Sequence, residues 1–304
     1  MIVVLAGGTG GAKLARGMLD VVGADRLTVI ANTGDDAEVY GLHVSPDPDL
    51  VTYWLADLID EERGYGIRGD SWHAMAGLEA AGHPTWFRLG DRDLATCLVR
   101  TETLRDGGRL ATATARVAAG LEVRARVVPM SDDPVRTHIR SRGEWTPFQE
   151  FMILDHTGGP IEAVELRGVE QARPAPEALA AIEAAEAIVI GPSNPVISIG
   201  PILAVPGMRE AIERARAPVV AVSPFVDGRA VKGPTDAFCS HAGLSLGADG
   251  IVDAYGPLLA GVVADERVDR TGIASLETDT MMAAPERRST LAQTTLEFAI
   301  TLRR

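Results

Sequence analysis

The chain predicts an α/β fold, a doubly wound parallel sheet interrupted by a run of helices, and three observations carry that expectation. Short apolar runs rich in β-branched residues recur from residue 2 to residue 276, as strands buried on both faces require. Apolar residues at helical spacing separate many of these runs, the pattern of crossover connections. From residue 46 to residue 121 the helical pattern continues without a strand, so that stretch reads as an insert hung on the sheet.

The first strand is Ile2 to Ala6, and it empties without a spacer into Gly7-Gly8-Thr9-Gly10-Gly11. Behind the glycines, Leu14, Ala15, Met18 and Leu19 recur at helical spacing, which places the turn between a strand end and the start of a helix. Glycine there lets the backbone approach a phosphate, and the free N–H groups and dipole of the helix supply positive potential. Neither named phosphate motif is complete, because G-x-G-x-x-G needs glycine at Lys13, while the P-loop needs glycine at Ala12 and a hydroxyl at Leu14. Phosphate binding and tight strand-to-helix packing both remain open from this turn alone.

Leu27 to Ala31 is the second strand, and it ends in Asn32-Thr33-Gly34-Asp35-Asp36. Ligands of doubly wound sheets sit off the carboxyl ends of the strands, so this acidic loop belongs beside the glycine turn. Two carboxylates next to a phosphate site point to Mg²⁺, which takes hard oxygen ligands; capping of the next turn is the competing reading. Ser45-Pro46-Asp47-Pro48-Asp49 reads as a rigid turn with Asp49 as N-cap of a helix carrying Leu50, Val51, Trp54, Leu55 and Leu58. Helices follow over 72–81, 94–104 and 110–119. Between the first two of these, residues 86–93 set Arg88 and Arg92 among aromatic and acidic neighbours, as a ligand loop or a solvated network.

Strands are expected over 123–128, 135–140, 151–154 and 161–166, then a helix over 177–185. Ala187 to Ile190 delivers a second loop, Gly191-Pro192-Ser193-Asn194-Pro195 onward to Pro201, whose hydroxyl and amide groups face the same sheet edge. Strands over 219–222, 259–264 and 273–276 and a helix over 286–302 complete the chain. All are expected to close over one sheet.

Composition narrows the chemistry. A net charge of -13 and an isoelectric point near 4.9 argue against a nucleic-acid partner, which needs a basic face. Cys97 and Cys239 form no C-x-x-C pair, and the first strand at residue 2 leaves no room for a leader, so a cytoplasmic setting is expected. No apolar stretch reaches the roughly eighteen residues that cross a membrane. The six histidines, His43 and His156 among them, lack zinc spacing, and there is no G-x-S-x-G elbow. Catalysis would rest on carboxylates, a metal and backbone amides, the means of phosphoryl transfer.

Several stretches together resemble the 2-phospho-L-lactate transferases (CofD-like) of coenzyme F-420 biosynthesis. They are G-G-T-G-G at 7–11, N-T-G-D-D at 32–36, P-D-P-D at 46–49, G-D-R-D at 90–93, P-S-N-P at 192–195 with S-I-G-P-I-L at 198–203, and Lys232-Gly233-Pro234. The resemblance implies a Rossmann-like three-layer parallel sheet over residues 1–45 and 122–304, with the helical insert, 46–121, contributing to a deazaflavin site. It implies a Mg²⁺-dependent transferase of EC class 2.7.8 and a homodimer. The donor would be a guanosine diphosphate ester of lactate or enolpyruvate, the acceptor the ribityl hydroxyl of 7,8-didemethyl-8-hydroxy-5-deazariboflavin, and GMP the leaving group.

Carried over by residue, Gly8, Thr9, Gly10 and Gly11 with Lys13 and Asn32 would hold phosphate, and Ser193 and Asn194 the nucleotide or its phosphates. Asp49 and Arg88 would meet the deazaflavin. Asp35 and Asp49 would serve catalysis and hold the metal. The competing class is a non-catalytic regulator that binds a nucleotide sugar; a UDP-sugar glycosyltransferase and an NAD-dependent oxidoreductase fit fewer of the motifs. Which acid is transferred stays open, since it turns on a methyl, a methylene or a hydroxyl.

Overall fold

Every residue of Ile2–Ala6, Leu27–Ala31, Ala187–Ile190, Val219–Val222 and Gly261–Ala264 is buried. Such runs can lie only in the middle of a sheet covered on both faces. The computed structural model, which describes all residues except His156, Thr157, Gly158, Lys232 and Arg304, joins them with Arg126–Pro129 and Ala274–Glu277 into one seven-stranded sheet. All its pairings are parallel. Numbering these strands along the chain as β1 (Ile2–Ala6), β2 (Leu27–Ala31), β3 (Arg126–Pro129), β4 (Ala187–Ile190), β5 (Val219–Val222), β6 (Gly261–Ala264) and β7 (Ala274–Glu277), the order is β7-β6-β5-β4-β1-β2-β3. That is the doubly wound order with one more strand at its edge, and the expected fold class holds.

Alternation along each strand divides the core into two layers. Val3, Leu5, Ile188, Ile190 and Ala221 point to one face, where helices Pro176–Glu183, Ile199–Ala204 and Ala248–Tyr255 cover them. Ile2, Val4, Ala6, Val189 and Val220 point to the other, against α1 (Gly8–Val22), α2 (Pro46–Leu55) and helix Pro285–Thr301. Burying each large side chain contributes about 1.5–3 kcal/mol, so a polar residue at Val4 or Val189 would split this seam. Among the described residues no helix is long and apolar enough to cross a membrane.

Register decides where the site lies. Ala6 pairs with Ala31, and Leu5 and Ala221 both pair with Ile190, so the carboxyl ends of β1, β2, β4 and β5 lie nearly level. The loops that leave them share one edge.

The helices expected between 46 and 121 are present as α2, α3 (His73–Ala80), α4 (Asp91–Arg105) and α5 (Leu110–Gly120). Packing groups them unevenly: α2 lies on α1 and the sheet, while hairpin Ala37–Val39/Leu42–Val44 joins Met75, Phe87, Leu89 and Cys97 in a separate small core.

Three expectations are corrected. Residues 151–154, expected as a strand, belong to α6 (Phe148–Ile153), because Phe148 and Phe151, three apart, bury one helical face that a window opening at 151 misses. Asp49 is not the N-cap of α2; Ser45 holds that place, since Pro46 has a fixed φ and no N–H to satisfy and so starts the helix four residues earlier. The elements do not close over one sheet: Arg136–Ser141, Glu144–Pro147 and Ala163–Arg167 form a separate antiparallel sheet, which carries α6 to the edge of the site.

Candidate functional site

The strand order reverses between β1 and β4, and a cavity of about 390 Å³ opens there, beyond the carboxyl ends. Doubly wound sheets bind their ligands at such a point, because the two loops diverge and leave a crevice. The walls are the glycine turn after β1, Asp35 after β2, Asp47 at the start of α2, and Pro192 to Asn194 after β4. Phe148 and Met152 of α6 and Met281 and Met282 beyond β7 give it an apolar side fit for a flat ring.

The glycines serve packing and ligand access together. Gly8 begins α1 at φ +71, in the left-handed region that favours glycine. At Gly10 a Cβ would stand 1.9 Å from the Pro192 carbonyl oxygen, so a side chain there would drive the two loops apart. The N-terminus of a helix leaves its first N–H groups without intrahelical partners. Gly7 N–H donates to Ser193 Oγ at 3.4 Å and Gly8 N–H to Asp47 Oδ1 at 2.7 Å. The amides of Thr9 and Gly10, on the cavity wall, remain for an anion. Lys13 lines the same wall, 5.6 Å from the Trp54 ring centroid.

Two carboxylates face the cavity. Asp47 is 5% exposed, and Asn32 Nδ2 donates to its second oxygen at 2.9 Å. Burial pushes Asp47 up to about 6, against the pull of the Asn32 and Gly8 donors. Asp35 is 7% exposed and its Oδ1 has no hydrogen-bond partner. Burial, and next the negative charge of Asp47, hold it well above the usual carboxylate range. An orphaned carboxylate oxygen beside a second acid is the donor set that a hard divalent cation would satisfy. On that observation Asp35 and Asp47 fit Mg²⁺.

Asp49 lies elsewhere. It accepts from Arg100 Nη2 of α4 inside the protein, and Asp93 and Cys97 bring their ligand atoms within 4.8 Å of it and of one another. Arg100 is 0% exposed and donates also to the His43 carbonyl at 3.2 Å. Burial raises Asp49, the guanidinium pulls it back, and Asp93, which accepts from Tyr53 Oη at 2.6 Å, is pushed up to about 7. These three do not suit Mg²⁺, because one donor is a thiol and Arg100 already supplies the positive charge.

The remaining expected residues divide in the same way. Ser193 and Asn194 are on the cavity wall, although Asn194 also braces its own loop by accepting the N–H groups of Val196 and Ile197. Asn32 stands behind Asp47 and orients it. Arg88 is exposed, stacked 5.3 Å from the Trp72 ring, and is not on the wall. In G-D-R-D, Asp91 caps α3 by accepting the N–H groups of His73 and Ala74. Of Lys232-Gly233-Pro234, Gly233 and Pro234 line the cavity and Lys232 lies outside the described residues, as does His156.

Sequence reasoning passed over Asp47 as a site residue, together with Phe148, Met152 and Met281. The signal for Asp47 was present in P-D-P-D: residues two apart on a helix point about 200° apart, so only one of its acids can face a given site.

Comparison with known proteins follows this geometry. A family model described as 2-phospho-L-lactate transferase CofD matches residues 2–291. The chain is 43% identical over 312 residues to a phosphoenolpyruvate transferase of Kitasatospora aureofaciens, covering 98% of this chain and 97% of that protein. It is 36% identical over 299 residues to a 2-phospho-L-lactate transferase of Methanosarcina mazei, covering 96% and 98%. Among solved structures, a UPF0052 family member from Bacillus halodurans matches with a TM-score of 0.62 at 20% identity, over 97% of this chain and 99% of that one, a likeness of fold alone.

Proposed function

The chain belongs to the 2-phospho-L-lactate transferase (CofD) family, and from that premise we propose that it moves a phospholactyl or phosphoenolpyruvyl group from a guanosine diphosphate ester to the ribityl hydroxyl of a deazaflavin, as in coenzyme F-420 biosynthesis. The observation that carries this reading is the pair Asp35 and Asp47, buried and with pKa values raised by that burial, across from the helix amides of the switch-point cavity.

The donor's diphosphate would lie on the Thr9 and Gly10 amides, with the nucleotide between the glycine turn and the loop at 192–194. The acceptor's flat ring would take the apolar wall of Phe148, Met152 and Met281. Its hydroxyl oxygen attacks the distal phosphorus, a new P–O bond forms, the bond to the bridging oxygen breaks, and GMP leaves with that oxygen. The hydroxyl proton passes to the Asp35 carboxylate, while Asp47 is held in place by Gly8 and Asn32. Mg²⁺ held by Asp35 and Asp47 would neutralise charge on the diphosphate.

The test is incubation of the protein with deazaflavin, Mg²⁺ and each candidate guanosine diphosphate ester, reading GMP and the mass of the phosphodiester. Stoichiometric appearance of both supports the reading. Nucleotide binding with no deazaflavin binding and no GMP would sink it in favour of a regulator.

A further inference from the structure

Beside the main cavity lies a smaller one of about 180 Å³, and Asp35 and Phe148 line both. It opens on the side of Asp35 that the glycine turn does not line, between the loop at 34–38, residues 136–138 of the antiparallel sheet and the start of α6. Two groups there, besides Asp35, hold unspent capacity. Thr137 is 2% exposed and its Oγ1 has no hydrogen-bond partner, the same condition as Asp35 Oδ1. Arg136 is half-buried, its Nη1 donates to the Val135 carbonyl at 2.9 Å, and among the described residues no carboxylate pairs with it.

The acids around this cavity are mostly engaged. Asp36 accepts from Ser45 Oγ at 2.7 Å and meets His43 Nε2 at 2.8 Å, and Glu38, largely exposed, reaches His43 Nδ1 at 3.2 Å. Glu150 faces His138, whose pKa burial lowers, so the imidazole is neutral at pH 7. The groups left to donate to a ligand are a guanidinium and a hydroxyl, the donor set that recognises a carboxylate, with Asp35 and Glu150 as the acceptors beside them.

We propose that this side cavity is the subsite for the carboxylate of the transferred acid, with Arg136 and Thr137 as its specificity-determining residues. The inference rests on the transferase reading above. In an in-line transfer the attacking and leaving oxygens occupy one axis through the distal phosphorus, so the acid it carries must project sideways. With that phosphorus beside Asp35, the side cavity receives the acid. Its volume leaves room for a three-carbon acid.

The experiment compares the protein with Arg136→Gln, Arg136→Lys and Thr137→Val on two donors, the guanosine diphosphate ester of the hydroxy acid and its analogue lacking the carboxylate, by GMP release at saturating acceptor. In the unaltered protein, loss of the carboxylate should lower kcat/KM by roughly 10–100-fold, the scale of a charge-assisted hydrogen bond. Arg136→Gln should impose a loss of that size on the acid donor and leave the analogue and the acceptor KM unchanged. Arg136→Lys should recover part of it. Thr137→Val should act in the same direction with a smaller effect. Unchanged melting temperatures separate these effects from misfolding. If the variants keep the original preference for the acid donor, or the unaltered protein has none, the subsite is overturned. If the unaltered protein turns over neither donor, it is the transferase reading that fails.

Discussion

Asp47 and Asp49 stand two residues apart on α2 and are both almost wholly buried, yet they belong to different chemistries. Asp47 faces the cavity with Asp35, and burial raises the pKa of both, the negative charge of Asp47 adding to the rise at Asp35. Asp49 faces the insert, where Arg100 compensates its charge. The comparison teaches that burial alone does not mark a functional carboxylate. A buried acid whose charge is already balanced is part of the architecture, and one left unbalanced at a cavity is waiting for a ligand.

The sharpest way to break the comparison is to neutralise each acid in turn. Asp35→Asn and Asp47→Asn should each lower kcat by about 10²- to 10⁴-fold, the scale of a lost proton acceptor or charge-stabilising group. Their urea midpoints should hold or rise, because a carboxylate held in a poorly solvated site is removed. Wild-type turnover in either variant would remove that acid from the mechanism.

The second cluster should answer in the opposite currency, stability. Arg100→Met leaves Asp49 buried without its partner and should cost about 3–5 kcal/mol in urea unfolding, as breaking a buried pair does. Adding Asp49→Asn should recover much of that loss, since the stranded charge is gone. A double variant as unstable as the single one would show that Asp49 depends on something other than Arg100.

Titration offers a finer test. Asp47 has its folded pKa raised from 3.8 to about 6, so between these values the folded protein binds more protons than the unfolded one. Its contribution is therefore fully present below about pH 4 and is lost as pH rises through 6. Asp93, at about 7, carries the same trend further. Urea midpoints measured across this window should fall with pH from these groups, and Asp47→Asn should flatten the lower part. An unchanged slope in the variant would mean that Asp47 is not the titrating group.

The smallest effect is expected at Arg88, exposed on Trp72, where Arg88→Ala should change stability by less than about 0.5 kcal/mol. Calorimetric titration with the deazaflavin then isolates any part Arg88 has in acceptor binding. Unaltered affinity would leave the ring to the apolar wall of the main cavity.

The sequence by itself determined the parallel sheet, because runs such as Ile2 to Ala6 and Ala187 to Ile190 carry no polar residue and must be covered on both faces. It determined the glycine turn and the loop at 191–195 as neighbours, since parallel strands deliver their loops to one edge. It also determined the family, through motifs spread along the whole chain. Only the tertiary structure decided which acid of P-D-P-D meets the cavity, because helix phase follows from where the helix starts, and Pro46 moved that start. Only it decided that α6 and Met281 wall the site and that Arg136 reaches a side cavity next to Asp35. Those residues come together from distant stretches through folding, and local pattern carries no record of such contacts.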